Sequence, residues 1–451
     1  MIKKLLLLLV FTIPLMSVSL TVAAEVVGKN ALVQLSKQAW QEDVDKLFTS
    51  IHCLHPNPWH SITVKKFKNL LQSIVSSSQT ESRTRSSLKL MAALAKIAQA
   101  DGDGRTGIWP FQDVTDFHLL PLRLYSFSDG IYILQANNIN QQLIGHQLMA
   151  IAGTPTADVF DTVSSHLGNG SDMWVKSWSP LYSIIPELLE ELNLAKGLNI
   201  NITIKNSEGE LVTKKLKSIS AKSYKKAFHQ ALTRTSSTSL PVDDKSAGYL
   251  KQIYGEAYWF KKLNDSTLYM QYNHIINEDE KGQFFSEFME SLEIEIKSYQ
   301  LDSLIIDVRN IRGGTDDYDE NHAIYSAFFE MLNRFKAEKR QLNLYVLTGR
   351  VAFSTAANFV LDLDKKTQAI FIGEAMGGQS NYYGEAERVI LPNSKLKVML
   401  TTRYQNKADT AKPAKTAKPD YLIELSSKQF YSLVDPVMLK TLALIELSTY
   451  D

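Results

Sequence analysis

Cysteine is almost absent. Cys53 is the only one in 451 residues, so no internal disulfide can form and no cysteine-rich zinc or iron–sulfur site exists. Net charge is nearly absent too. The chain has 49 Lys and Arg against 48 Asp and Glu, which gives no electrostatic case for nucleic acid as the main partner. Hydrophobic residues at 44% and charged residues at 22% exclude a disordered or low-complexity polymer. There is no internal repeat. No His-Glu-x-x-His, Walker A or Gly-x-Ser-x-Gly sequence occurs. Asp101-Gly102-Asp103-Gly104 has the look of a calcium loop. Its fifth position is Arg105 and its twelfth is Gln112, where a glutamate is required. No metal site and no cofactor is called for.

What is present begins with a leader. Lys3 and Lys4 precede the apolar run Leu5–Phe11, Pro14 breaks it, and Val22-Ala23-Ala24 supplies small residues at a cleavage site. The pattern predicts a signal peptide cut after Ala24, the alternative being an uncleaved anchor. No later segment is long and apolar enough to span a bilayer. The mature chain is therefore expected to be exported, periplasmic or secreted, with no integral span. Cys53 reads as a small buried residue.

Length predicts two or three domains. Residues 25–110 read as a helical domain, with apolar residues at three- and four-residue steps. Trp40, Val44, Leu47 and Ile51 mark its first helix, Phe67, Leu71 and Ile74 the second, Leu88, Met91 and Leu94 the third. Residues 111–232 read as β-rich, with strands at 131–135, 147–152 and 199–205 and a helix at 186–195. Residues 233–250 read as a linker. From 251 to 451, strands at 268–272, 304–308, 344–347 and 369–372 alternate with helices at 280–298, 321–338 and 354–363. Unbroken apolar strands alternating with helices argue for an α/β domain with a largely parallel, doubly covered sheet. Residues 406–419 read as a surface loop.

Two places suit chemistry. Asp307-Val308-Arg309-Asn310-Ile311-Arg312-Gly313-Gly314 ends a buried strand, where ligands of such sheets bind. Paired glycines there let backbone N–H groups approach an oxyanion closely. The same pattern also suits a plain strand-to-helix turn. Gly349–Asn358 lies between a strand and a helix, and puts Ser354 at the first helical turn, where orphan N–H groups favour negative charge. That position suits a serine nucleophile and equally an N-cap serine.

At these motifs the sequence resembles the family S41 serine peptidases, the tail-specific, C-terminal processing and tricorn-like proteases. The resemblance also takes in His55-Pro56-Asn57, the Asp101–Ile108 turn, Gly373–Gly378, Asn381–Glu385, Leu391–Ser394, Pro419-Asp420 and Asp435-Pro436-Val437. It implies a ClpP/crotonase-like catalytic core with an N-terminal helical domain and a β-rich, PDZ-like insert. It also implies Ser354 as nucleophile, with an oxyanion hole made by the backbone N–H groups of Thr355 and of Gly313 or Gly314. The general base departs from the family. Arg105 stands where tricorn-like members have histidine, and Gln379 where processing-type members have lysine. Guanidinium has no acceptor and glutamine does not titrate. Tyr382 or Tyr383, lowered in pKa by a cation, would be a substitute, as would His55, His60 or His274 folded into reach. Glu374 reads as an orienting or capping residue.

Two functions follow. One is an exported serine peptidase that cleaves polypeptides by acyl transfer with a non-standard base. The other is a catalytically impaired descendant that binds peptides or protein C-termini in the old cleft, with Arg105 pairing a carboxylate.

Overall fold

The computed structural model describes residues 34–99, 102–110, 117–168, 171–233, 256–311, 313–314, 318–406 and 419–448. The leader, all of the expected 233–250 linker but Thr233, and all of the expected 406–419 loop but Asn406 and Pro419 lie outside the described residues; Thr233 ends a helix and Asn406 a strand. No helix among those described is long and apolar enough to cross a membrane.

Three helices open the fold: α1 (Lys37–Leu54), α2 (Val64–Ser77) and α3 (Arg83–Ile97). Each starts on a hydroxyl cap. Ser36, Thr63 and Ser82 accept the N–H of Ala39, Lys66 and Arg85, satisfying one orphan donor apiece. An antiparallel sheet follows, with β1 (Leu122–Phe127), β2 (Gly130–Ala136), β3 (Gln147–Ile151), β4 (Asn199–Lys205) and β5 (Leu211–Lys217) in that spatial order. Between β3 and β4 run α4 (Thr156–Ser164), α5 (Asp172–Tyr182) and α6 (Pro186–Glu191). After β5 comes α7 (Ala221–Thr233). Helix α6 is shorter than the expected 186–195, because Leu192 already leaves helical geometry and caps it.

The second sheet has β6 (Tyr258–Lys262), β7 (Thr267–Tyr272), β8 (Ser303–Asp307), β9 (Asn343–Thr348) and β10 (Ile370–Gly373). The intervening helices are α8 (Phe285–Ser298), α9 (Tyr318–Ala337) and α10 (Thr355–Lys366). A long hairpin, β11 (Asn381–Ile390) and β12 (Lys397–Asn406), precedes a short β13 (Tyr421–Leu422) and α11 (Pro436–Ser448). The sheet order is β13-β10-β9-β8-β7-β6, parallel throughout except the β6–β7 pair. Both faces are covered, as the unbroken apolar strands imply. Leu304, Ile306 and Val346 pack against α8, α9 and α10, while Ile305, Tyr345 and Leu347 pack against Val437 and Ile445 of α11.

Two further expectations need correction, and one element went unread. Helix α8 begins at Phe285 rather than near 280. The Asp279 carboxylate accepts the N–H groups of Lys281 and Gln283 at 2.8 and 2.9 Å, a local turn that competes with helix. Cys53 is exposed, not buried. The buried stripe of α1 runs through Trp40, Asp43, Val44, Leu47, Ser50 and Ile51, and Cys53 falls off it. The β11–β12 hairpin occupies residues that offered only motifs, with no strand periodicity clean enough to read.

Candidate active site

Ser354 caps α10 with φ 60° and ψ −133°, and its side chain makes no capping hydrogen bond. A non-glycine residue at positive φ costs of order 1–3 kcal/mol and persists only where the surroundings hold it. The surroundings do. Gly349 backs onto the Arg309 main chain, where an added Cβ would lie 2.8 Å from the carbonyl oxygen. Arg350 donates from Nε to Glu374 Oε2 at 2.7 Å and from Nη1 to the Ser126 carbonyl at 2.7 Å, and stacks over Tyr125. Glu374 thus anchors the Ser354 turn through a buried ion pair and caps no helix.

The paired glycines face this turn. A Cβ built on Gly313 would lie 3.8 Å from the Ser354 hydroxyl oxygen and 3.7 Å from its Cβ. A Cβ on Gly314 would collide with the Asn321 carboxamide. Asn321 in turn donates from Nδ2 to Thr355 Oγ1 at 3.4 Å, so it ties the glycine loop to the first residue of α10. Thr355 is buried at the helix start, where N–H groups lack intrahelical acceptors. Sequence reasoning missed Asn321, because a lone asparagine in a helical stretch carries no spacing signal.

Arg309 locks the strand end beneath the glycines. Its guanidinium contacts Asp307 through Nε (3.0 Å) and Nη2 (2.6 Å), and Asp435 through Nη1 (2.9 Å) and Nη2 (2.8 Å). Burial works against its charge, yet the two carboxylates outweigh that and raise its pKa further. Asp435 also caps α11 by accepting the N–H groups of Val437 and Met438.

The expected base positions sit on turns with contacts of their own. The turn bearing Arg105 is fixed by Asp103, whose Oδ1 accepts the Thr106 N–H at 3.0 Å. Gly104 lies flat on Trp174, and the Trp174 ring meets Phe353 edge-on at 4.7 Å. Gln379 is half-buried next to Gly378, where an added Cβ would lie 2.5 Å from the Ala357 Cβ. Tyr382 is buried and donates its hydroxyl to Asn358 Oδ1 at 2.6 Å, one helical turn past Ser354.

The substitute bases have other surroundings. His55 is sealed: Asn57 N–H donates to Nδ1 at 3.1 Å, so Nε2 carries the proton and donates to Asp103 Oδ2 at 3.0 Å. His60 sits between His55 and Tyr383, with its pKa lowered by burial and by His55. His274 is exposed. The pKa of Tyr383 is raised, first by burial and then by Tyr404 and Asp103, opposite to what a tyrosine base needs. Among the described residues, no side chain hydrogen-bonds the Ser354 hydroxyl.

No protein-family model and no curated protein sequence matches the chain. Solved structures do. CPAF complexed with lactacystin superposes at a TM-score of 0.59, 12% identical over 92% of this chain and 99% of that one. A serine-to-alanine mutant of CPAF gives 0.57 with 14% identity over 88% and 94%. Mature CPAF gives 0.55 with 13% identity over the same shares. The chain thus shares its overall fold with CPAF. At such identities the likeness establishes the fold alone.

Proposed function

We propose that this chain is an exported serine peptidase of the CPAF-like, S41-like kind, which cleaves polypeptides by acyl transfer with Ser354 as nucleophile. On this reading the parallel sheet is a ClpP/crotonase-like catalytic core at 251–451. The helices at 25–110 and a PDZ-like insert at 111–232 stand before it. One observation carries the proposal: a serine held at φ 60° on a helix N-terminus, with its hydroxyl against a glycine loop. Strain retained at a helix start, facing main-chain donors, suits a tetrahedral intermediate.

The Ser354 oxygen attacks the scissile carbonyl carbon. The developing oxyanion is met by the N–H groups of Thr355 and of Gly313 or Gly314. The amine leaves with a proton, and water then cleaves the acyl-enzyme ester. The base is non-standard. Arg105 cannot accept the serine proton, Gln379 does not titrate and Tyr382 is committed as a donor. A positioned base is worth about 10²–10⁴-fold. Turnover is therefore slow, and its rate climbs with pH as solvent hydroxide takes the proton, without the plateau near neutrality that a histidine base produces.

A second reading has an observation of its own: the hydroxyl lacks any acceptor among the described residues, which suits a chain that binds polypeptide without cutting it. Incubation of the mature chain with an unfolded protein across pH 6–10 separates the two. Fragments that increase with pH and vanish in Ser354→Ala support the peptidase. Retention of the protein without fragments at any pH supports the binder.

A further inference from the structure

The β4–β5 hairpin and α7 gather charge that the rest of the chain lacks. Residues 205–226 contain seven lysines and two glutamates. Removing these from the totals of 49 and 48 leaves 42 basic and 46 acidic residues. A nearly neutral chain thus divides into one cationic segment and a mildly acidic remainder. All seven lysines are exposed.

Lysines on an edge strand such as β5 also discourage pairing with another chain. That accounts for Lys214, Lys215 and Lys217 singly, but not for what lies beside them. A cleft of about 740 Å³ opens on the outer face of the hairpin, floored by Asn199, Asn201 and Thr203 of β4 and Thr213 of β5. Its wall is the 193–196 loop with Lys196, and Arg85 closes one side. Lys217 stands opposite Asn199 and Lys215 opposite Asn201, so both lysines flank the floor on the same face. One acid lines the cleft, Glu190, whose Oε2 accepts the Gly197 N–H at 3.0 Å. Arg85 also meets Glu191 at 2.8 Å.

The chemistry of this cleft is selective. Strand β4 lies between β3 and β5, so its backbone groups are taken and a guest is read by side chains. Carboxamides and hydroxyls donate and accept, the lysines supply positive charge, and no aromatic residue lines the cleft. The guest is therefore polar, anionic and narrow. A concave slot receives a chain better than the flat face of a bilayer. None of the lining residues belongs to the turns around Ser354.

We infer that this cleft is an exosite for an extended acidic segment of polypeptide. Its use in delivering substrate rests on the peptidase reading above; its binding does not. The test uses the full mature chain carrying Ser354→Ala and two labelled decapeptides, one rich in Asp and Glu, one of Ser, Gly and Asn. By fluorescence anisotropy the acidic peptide binds about tenfold tighter at low salt, and the advantage fades when ionic strength rises to about 0.3 M. The pair Lys215→Glu/Lys217→Glu removes the advantage, and Asn201→Trp, which fills the cleft without changing charge, weakens it. Equal affinity for both peptides, or indifference to both variants, overturns the inference. So does salt-sensitive binding of phosphatidylglycerol vesicles without binding of the acidic peptide. In the active chain the charge reversal slows cleavage of a protein bearing an acidic segment and leaves a short neutral peptide unaffected. If nothing is cleaved while the binding pattern holds, the peptidase reading fails and the exosite stands.

Discussion

Residue by residue, the molecule spends its buried polar groups on fixing turns. His166 is the clearest case for a pH effect. It is 9% exposed, and burial, reinforced by Lys96, lowers its pKa to about 4. The unfolded chain takes up this proton near pH 6.5, while the folded chain refuses it until about pH 4. Folding stability is therefore lost as pH falls through that window, by about 3 kcal/mol from this residue at its lower end. Urea melts from pH 7 to 4.5 should show a steeper loss for wild type than for His166→Gln. Equal slopes would refute the assignment. The glycine pair gives a second expectation at this scale. Gly314→Ala must displace Asn321 and should unfold at markedly lower temperature. Gly313→Ala meets Ser354 only at ordinary contact distance and should keep its melting temperature while losing activity.

Among elements, the strand end at Asp307–Gly314 and helix α11 are joined by one guanidinium. Asp435→Ala leaves Arg309 half-compensated in the interior and uncaps α11, and should cost about 3–5 kcal/mol by equilibrium denaturation. A loss below about 1 kcal/mol would mean that the pair is dispensable. The elements themselves were largely legible. Helices α1 to α3 and the strands β7 to β10 follow from apolar spacing that only one secondary structure satisfies. The hairpin β11–β12 was not legible, because Tyr382 and Tyr383 are buried on opposite sides, one toward Asn358 and the other toward His55. Alternation is invisible when both faces of a strand are covered. The candidate site was half legible: Ser354 and the glycines from their place between strand and helix, but not Asn321, Asn358 or the Arg309–Asp435 clamp. Those contacts join residues far apart in sequence, and each polar residue alone looks like a surface residue.

Across the whole molecule, the hairpin binds the helical layer to the site. Val398 and Leu400 of β12 belong to the same core as Trp40 and Leu94, while the start of β11 lies against α10 through Tyr382. The hairpin turn is latched by Asp43, which accepts the N–H groups of Asn393 and Ser394 at 2.7 and 2.8 Å, and by Arg83, which donates to the Ser394 carbonyl. Asp43→Ala strands one buried and one half-buried donor and should cost about 3 kcal/mol. If activity depends on the hairpin's placement, it should also lower kcat more than it raises KM. A variant with lost stability but unchanged kcat would show that the latch serves folding alone. The proposed chemistry depends on the Ser354 hydroxyl oxygen, and intact-mass spectrometry after exposure to a fluorophosphonate reads it directly. The prediction is one adduct per chain on Ser354, formed faster at higher pH and absent in Ser354→Ala. A chain that stays unmodified at every pH, or a mutant that still gains the adduct, contradicts it.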